Sequence, residues 1–251
     1  MRKIISVIIP TFNSGKILND CLETVKGADE IICVDMGSTD GTLDICKKYK
    51  AKIIHNTPKD GNFDINRKIG IQEASGDWIL KLDSDDRLTK RLQGSIKRTI
   101  QKDEGLAGYR LYNKVFFFNQ EIKHGYRENK SSELRLFKRN KWTYQPSKFH
   151  QQIKVCGETS FLEGEYLHFN SQSIFEFIKK TNTYTSLDSL YDYKIRKDVN
   201  FLHCIISPVR VIFKYYILRL SFLDGTIGLI VTILFSIYNF IYKIKIWEKR
   251  K

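Results

Sequence analysis

Four short apolar runs, Ile4–Ile9, Glu30–Val34, Ala51–Ile54 and Trp78–Leu82, alternate with polar segments of helical spacing through the first hundred residues. Each run is rich in Ile and Val and bounded by turn residues, the pattern of strands buried on both faces. Between them, Ile17, Cys21, Leu22 and Val25 repeat at i, i+4, i+5 and i+8, and Thr42–Tyr49 and Asn66–Ala74 behave likewise. Strand–helix alternation of this kind requires right-handed crossovers and produces a parallel sheet, so the fold class is α/β. In such sheets ligands bind beyond the carboxyl ends of the strands. The chemistry is therefore expected in the residues that follow each run.

Those residues are Pro10-Thr11-Phe12-Asn13-Ser14, then Asp35-Met36-Gly37-Ser38-Thr39-Asp40-Gly41-Thr42, then Asp83-Ser84-Asp85-Asp86. Ser14 and Asp40 are good N-cap types and are expected to cap the helices after them. The third group is different. Three carboxylates within four residues at a buried strand end repel one another, which calls for a cation between them, and an all-oxygen set suits Mg or Mn rather than zinc. There is no GxGxxG after the first strand and no GxxxxGK[ST] loop, which argues against a nicotinamide dinucleotide site and a P-loop.

With 251 residues, 42% hydrophobic, 4 Pro and 15 Gly, the chain can bury a full core and is neither disordered nor of low complexity. Its five cysteines, Cys21, Cys33, Cys46, Cys156 and Cys204, are scattered without a CxxC pair, which fits a reducing compartment. Met1-Arg2-Lys3-Ile4-Ile5 leads straight into the first strand, so no secretory signal is expected. The charge, 42 − 28 = +14, is compatible with nucleic acid, an anionic membrane surface or anionic substrates. Half of it (13 − 6 = +7) lies in residues 170–251, the most apolar part, and the other half (29 − 22 = +7) in residues 1–169. Basic and apolar together favour a membrane surface over nucleic acid.

Residues 106–169 read as antiparallel hairpins: Tyr109, Leu111, Asn113, Val115 and Phe117 alternate, with a turn at Asn119-Gln120. Lys123-His124-Gly125-Tyr126-Arg127 and Lys141-Trp142-Thr143-Tyr144 mix bases and aromatics, either to meet a glycan or as core anchors. Helical spacing resumes over Ser173–Tyr193. Phe201–Phe222 is apolar, with Arg210, Lys214 and Arg219 broadly on one face and Pro208 near its start, which suits an interfacial helix. Thr226–Tyr242 carries no charge over 17 residues, the lower edge of spanning length, and Lys243, Lys245, Lys249, Arg250 and Lys251 follow. A pair of helices lying on a cytoplasmic membrane face fits best; a single span and a buried helical hairpin are the alternatives.

The motifs Val7-Ile8-Ile9-Pro10-Thr11-Phe12-Asn13, Val34-Asp35 through Thr42 and Trp78-Ile79-Leu80-Lys81-Leu82-Asp83-Ser84-Asp85-Asp86 resemble, in order and spacing, those of family 2 glycosyltransferases. Phe63-Asp64-Ile65-Asn66-Arg67, leading to Ala74-Ser75-Gly76-Asp77-Trp78, is similar to the short lipopolysaccharide-core type of that family. Glu133-Leu134-Arg135-Leu136-Phe137, Phe149-His150, Leu167-His168-Phe169 and Leu223-Asp224-Gly225 extend the resemblance over nearly the whole chain.

The resemblance implies a GT-A fold: a Rossmann-like mixed sheet flanked by helices, with C-terminal amphipathic or apolar helices. It implies a catalytic domain over 1–170, with a nucleotide-sugar half (1–100) and an acceptor half (101–170), and a membrane-associating helical region over 171–251. Pro10, Thr11 and Asn13 would line the nucleotide pocket, Asp35 would meet base or ribose, and Asp40 would hold the loop. Arg67 would reach the diphosphate, Asp83 and Ser84 would lie by the donor, and Asp85 would hold a divalent metal (Mn or Mg). The family inverts the anomeric carbon, which requires a base for the acceptor hydroxyl.

Three positions depart from the family pattern. His150-Gln151 stands where His-Glu is usual, and Gln is no base. Asp86 replaces a common Glu, and Lys68 a common Asn. The remaining base candidates are Glu133, Glu158, Glu163, Glu165 and His150, with Glu133 and His150 in matched segments. His168, in an apolar strand, reads as a hydrogen-bonded core residue. The expected partners are a nucleotide-sugar, a lipid-linked or lipopolysaccharide/lipooligosaccharide-core glycan and the membrane surface, with no nucleic acid. Capsule, exopolysaccharide or protein-glycan synthesis, and a catalytically silent membrane scaffold, are the alternatives.

Overall fold

The computed structural model describes residues 2–58, 63–125, 132–145, 152–193 and 199–250. The chain forms two compact units, Met1–Asn113 with Ser132–His168, and Lys114–Ser131 with Phe169–Lys251.

The first unit begins with the expected alternation: β1 (Ile5–Thr11), α1 (Leu18–Val25), β2 (Glu30–Asp35), α2 (Thr42–Lys48), β3 (Lys52–His55), α3 (Phe63–Gln72) and β4 (Trp78–Lys81). Then come β5 (Asp86–Leu88), α4 (Lys90–Lys102), β6 (Gly108–Phe117), β7 (Gln120–Ile122), β8 (Ser132–Lys138), β9 (Trp142–Gln145), β10 (Gln152–Val155) and β11 (Thr159–Ser171). The large sheet runs β3-β2-β1-β4-β8-β6-β11-β5; β9 and β10 form a separate antiparallel pair. β1, β2, β3 and β4 pair in parallel, whereas β8 joins β4 and β6 antiparallel and β11 joins β5 antiparallel. The sheet is therefore mixed, as expected.

The order 3-2-1-4 reverses between β1 and β4, which makes their carboxyl ends the switch-point crevice. β1 and β4 pair only through Ile8↔Lys81, while β1 stays with β2 as far as Thr11↔Asp35. Leu82 donates its N–H to the Ile8 carbonyl and Met36 donates to Thr11, so alternation turns the Pro10 nitrogen toward the side where pairing has ended. A proline in a central strand costs no ladder bond there.

One face of the sheet buries Val7, Ile9, Leu80, Leu111, Leu136 and Tyr166 with Leu18, Leu22, Leu92 and Ile96 of α1 and α4; the other buries Ile8, Ile32, Val34, Ile79 and Phe137 with Ile71 of α3. Thr89 caps α4, its hydroxyl accepting the Leu92 N–H at 3.3 Å. The caps expected of Ser14 and Asp40 take another form. α1 starts after Ile17 without a side-chain cap, and Ser14 contributes its carbonyl, which accepts from the N–H groups of Ile17 and Leu18. Asp40 lies one residue before the Gly41 cap of α2, and its carboxylate accepts the Thr42 N–H at 3.0 Å.

In the second unit the end of β6 pairs with β7 through a two-residue turn at Phe118-Asn119, both at positive φ, one residue ahead of the expected turn. After β11 come α5 (Ile174–Asp192), α6 (Phe201–Ile212), a π-helical stretch (Phe213–Leu218), a 3₁₀ turn (Ser221–Asp224) and α7 (Gly225–Glu248). The single helix expected over 201–222 is thus interrupted at Arg219-Leu220, where Leu220 adopts φ 59°. The last helix is longer than its uncharged 17-residue stretch, because Lys243 and Lys245 continue it. Ile227, Val231 and Leu234 pack with Val115, Phe117, Ile122 and Phe177. Phe201–Leu218 and Ser221–Glu248 are long and apolar enough to cross a membrane by length and composition, and only 6% of the first window is buried.

Gly70 fixes how closely α3 approaches the sheet, since a Cβ there would meet Ile8 Cγ2 at 2.3 Å and Val34 Cγ2 at 3.1 Å. Alanine normally favours a helix over glycine by about 1 kcal/mol. Gly70→Ala is expected to reverse that sign and cost about 1–3 kcal/mol by overpacking, read as a lower midpoint in urea unfolding.

Candidate active site

The crevice is built from three loops tied together before any ligand is considered. Asp35, fully buried at the end of β2, accepts from the Gly37 and Ser38 N–H groups at 2.9 Å each, from Ser38 Oγ at 2.5 Å and from Thr11 Oγ1 at 3.2 Å. Gly37 allows this turn at φ 88°, a region that costs other residues strain. Asn13, itself at φ 45°, accepts the Thr39 N–H at 2.9 Å and donates its own N–H to Ser38 Oγ at 2.9 Å. Asp40 accepts the Gly15 N–H at 2.9 Å, and Ser14 donates its hydroxyl to Ser84 at 3.1 Å. Pro10 and Thr11 are buried beneath these contacts, and Asn13 is exposed at the rim.

The aspartate cluster closes on itself and on a cation the chain supplies. The Asp83 N–H donates to Asp86 Oδ2 at 2.8 Å, and the Asp86 N–H to the Asp83 carbonyl at 3.0 Å. Arg135, on β8 and only 3% exposed, donates from Nη1 to Asp86 Oδ2 at 2.8 Å and from Nη1 and Nη2 to Asp83 Oδ2 at 3.3 Å. Its Nε lies 3.0 Å from Glu133 Oε2, and its guanidinium stacks 4.6 Å above the Tyr166 ring. Arg67, from α3, holds the other oxygen of Asp83 at 2.5 Å. Burial alone would raise the Asp83 pKa, but Arg67 and then Arg135 outweigh it and hold the carboxyl well below the usual range.

Asp86 is fully buried, and its second oxygen lies 2.9 Å from Nδ1 of His168, on β11; Asp85 Oδ1 is 3.4 Å from the same nitrogen. The pairing register explains the meeting: His168 is the direct partner of Asp86 between β11 and β5. Burial would lower the His168 pKa, yet the Asp85 charge and the hydrogen bond to Asp86 lift it to about 9. The ligand atoms of Asp85, Asp86 and His168 lie within 4.8 Å of one another. The carboxylate oxygens suit Mg or Mn, and the imidazole would join them as a ligand by giving up the proton it shares with Asp86.

Residues 6–161, which contain all three loops and the acidic strand end, match the family model described as glycosyl transferase family 2. The chain belongs to that family. The transferase is 27% identical, over 98% of its own length and 92% of the relative's, to the lipopolysaccharide core biosynthesis glycosyltransferase LpsC of Rhizobium meliloti. It is 29% identical, over 77% of its length, to a poly(ribitol-phosphate) beta-glucosyltransferase of Bacillus spizizenii, of which it spans 32%. Among solved structures, S. aureus TarS 1–349 aligns over 98% of this chain and 91% of that one, at 16% identity and TM-score 0.48.

The transferase thus brings together Arg67, Asp83, Ser84 and Asp85, with Glu133 linked through Arg135. Glu133 is half exposed, 3.7 Å from Lys81 Nζ. Arg135 lowers the Glu133 pKa against the effect of burial, with Lys81 assisting. Burial and Arg135 together bring Lys81 down to about 8, although Glu133 opposes them. Glu158 does not join the site; its carbonyl accepts the Ala107 N–H. Glu163 pairs with Arg91, and the Glu165 carbonyl accepts from Thr89. His150 and Gln151 lie outside the described residues. Trp142 packs against the α3-side core.

Sequence reasoning gave Arg135 no role and read His168 only as a core residue. A signal existed for the first. An arginine inside the apolar run Leu134-Arg135-Leu136-Phe137 has to find buried carboxylates or unfold the strand.

Removing Arg135 leaves two carboxylates facing each other without their buried partner. Arg135→Met is expected to cost about 3–5 kcal/mol, and Arg67→Met clearly less, because Arg67 is partly exposed. Urea titrations of the two variants against the parent check the ranking.

Proposed function

We propose that this transferase moves one sugar from a nucleotide-sugar to a lipid-linked glycan, with inversion and with a divalent metal, at the cytoplasmic face of a cell membrane. The observation that carries the reading is the strand-end group of Asp83, Asp85, Asp86 and His168 at the switch point between β1 and β4. A glycan of the lipopolysaccharide or lipooligosaccharide core is the preferred acceptor, supported by the likeness to LpsC over nearly both full lengths.

In this reading the first unit carries catalysis. Asp85 and His168, with Asp86 behind them, would hold Mn or Mg. When bound, such an ion neutralises the charge that develops on the diphosphate leaving group. Arg67, anchored by Asp83, presents a second positive group to that diphosphate. Thr11, Asn13 and the 35–40 loop form the nucleoside wall. Asp35 acts there through the loop it organises, and its carboxylate reaches base or ribose only if Ser38 yields its hydrogen bond.

The acceptor hydroxyl loses a proton as it attacks, and Glu133 is the described carboxylate best placed to take it. It is ionised and half exposed, and Lys81 and Arg135 fix its position. The same two cations weaken it as a base, which suits a transition state where the leaving group has already departed far. His150 is the second candidate. The second unit would rest on the membrane through α6 and the outward face of α7, where Val209, Ile212, Leu229, Ile233 and Ile237 are exposed.

A thermal-shift panel of UDP-, GDP-, ADP-, CMP- and dTDP-sugars with manganese tests this directly. A donor at 100 times its Kd should stabilise the fold by about 2.7 kcal/mol. One donor is expected to give that shift and to lose it with chelator and in Asp85→Asn. No shift with any donor, in folded protein, would favour a catalytically silent scaffold.

A further inference from the structure

The segment that joins α6 to α7 is built unlike a turn that faces water. Residues 218–223 expose four large apolar side chains: Leu218 is 65% exposed, Leu220 44%, Phe222 43% and Leu223 56%. Leu220 holds φ 59°, a left-handed conformation that water-exposed turns ordinarily give to Gly or Asn. The chain accepts that strain and keeps an apolar side chain at the tip, an arrangement that persists only where the surroundings fix it.

The surroundings do fix it. Two segments that stand out in the sequence, Lys123-His124-Gly125 and Leu223-Asp224-Gly225, meet behind the turn. The Asp224 carboxylate accepts the His124 N–H at 2.8 Å and the Lys123 N–H at 3.1 Å, and lies 3.0 Å from His124 Nδ1. The Gly125 N–H donates to the Arg219 carbonyl at 2.8 Å, and a Cβ on Gly125 would meet Ser221 Cβ and Oγ at 2.5 Å. Ser221 donates its hydroxyl to the Gly228 carbonyl at 3.0 Å. Ser221 and the Asp224 carboxylate are thus buried while the leucines of the turn are exposed, the reverse of an ordinary surface loop.

Cations border the apolar tip. Arg219 stands between Leu218 and Leu220 in the chain, Lys214 precedes it by one turn, and Lys123 lies two residues before Gly125; both lysines are exposed. From the tip the apolar surface continues along α6 through Ile217, Phe213 and Val209, all exposed at a spacing of four residues. An apolar surface this extensive marks a contact with protein or lipid, and the bordering cations favour lipid: acyl chains take the leucines and headgroup phosphates take the lysines. Building on the proposed membrane contact of the second unit, we infer that residues 218–223 form a rigid apolar prong that enters one leaflet of an anionic phospholipid membrane, with Lys123 and Lys214 at headgroup level.

The test uses the full chain, purified in detergent and floated with phosphatidylcholine vesicles that contain or lack phosphatidylglycerol. The parent should partition onto both, and more strongly onto the anionic ones. The prong variant Leu218→Ser/Leu220→Gly/Leu223→Ser should lower partition onto both by about tenfold or more. Its unfolding midpoint should stay within a few degrees of the parent's, because glycine accepts the left-handed conformation at position 220. Lys123→Gln/Lys214→Gln should lower partition onto anionic vesicles alone, by about fivefold per charge. In Phe222→Trp, lipid brominated in its acyl chains should quench emission beyond that of the parent's own tryptophans. Equal partition by parent and prong variant, an unchanged preference for anionic vesicles in the lysine variant, or no added quenching would overturn the inference and leave the membrane contact to other faces of the unit. A parent that is dimeric in detergent and turns monomeric in the prong variant would assign the tip to a second copy and overturn it too. No partition of the parent onto either vesicle would overturn the membrane reading itself.

Discussion

A buried guanidinium holds this strand-end cluster in shape. Two aspartates three residues apart, with backbone bonds drawing them together, would repel at a strand end shielded from water. Arg135 makes the arrangement tenable by bonding both Asp83 and Asp86 from the neighbouring antiparallel strand. Its own burial is costly, and it is offset by three carboxylates and the face of Tyr166. With the outer two acids of the run so engaged, Asp85 is turned toward His168. A short acidic sequence is thereby divided between positions bonded to Arg135 and one facing His168.

The parallel half of the fold was legible because its information is local. Strand, turn and helix follow one another within thirty residues, and the strand ends name the loops that meet. Asp35 and Asp40 show how far local reading goes: each organises its loop through contacts two or three residues away. Arg135 and His168 were harder because they reach the aspartates from strands about 50 and 80 residues further on. Only the antiparallel register sets His168 opposite Asp86. A single sequence carries the pattern of such strands without their partners.

The second unit shows the opposite difficulty. Apolar residues over 201–222 suggested one helix, and nothing in the composition marks Leu220 as the residue that turns to positive φ. Nor did the lysines after Tyr242 end α7, because long aliphatic stems carry charge outward from a helix that is otherwise apolar. Lys245 instead donates to Asn182, Thr185 and Ser186 of α5, a polar seam inside a hydrophobic unit. The seam also joins Tyr238 to Asp188 and Tyr242 to Asp192. Such seams orient helices whose apolar surfaces alone would pack in several ways.

In the proposed mechanism the strand-end aspartates and His168 form one cation site of a family 2 glycosyltransferase. Manganese binding to the full chain, followed by the loss of free Mn(II) signal in electron paramagnetic resonance, tests it most directly. Parent protein should bind one equivalent, His168→Ala should bind much more weakly, and Glu133→Gln should bind as the parent does. Full-strength binding by His168→Ala, or equal weakening by Glu133→Gln, would contradict the account.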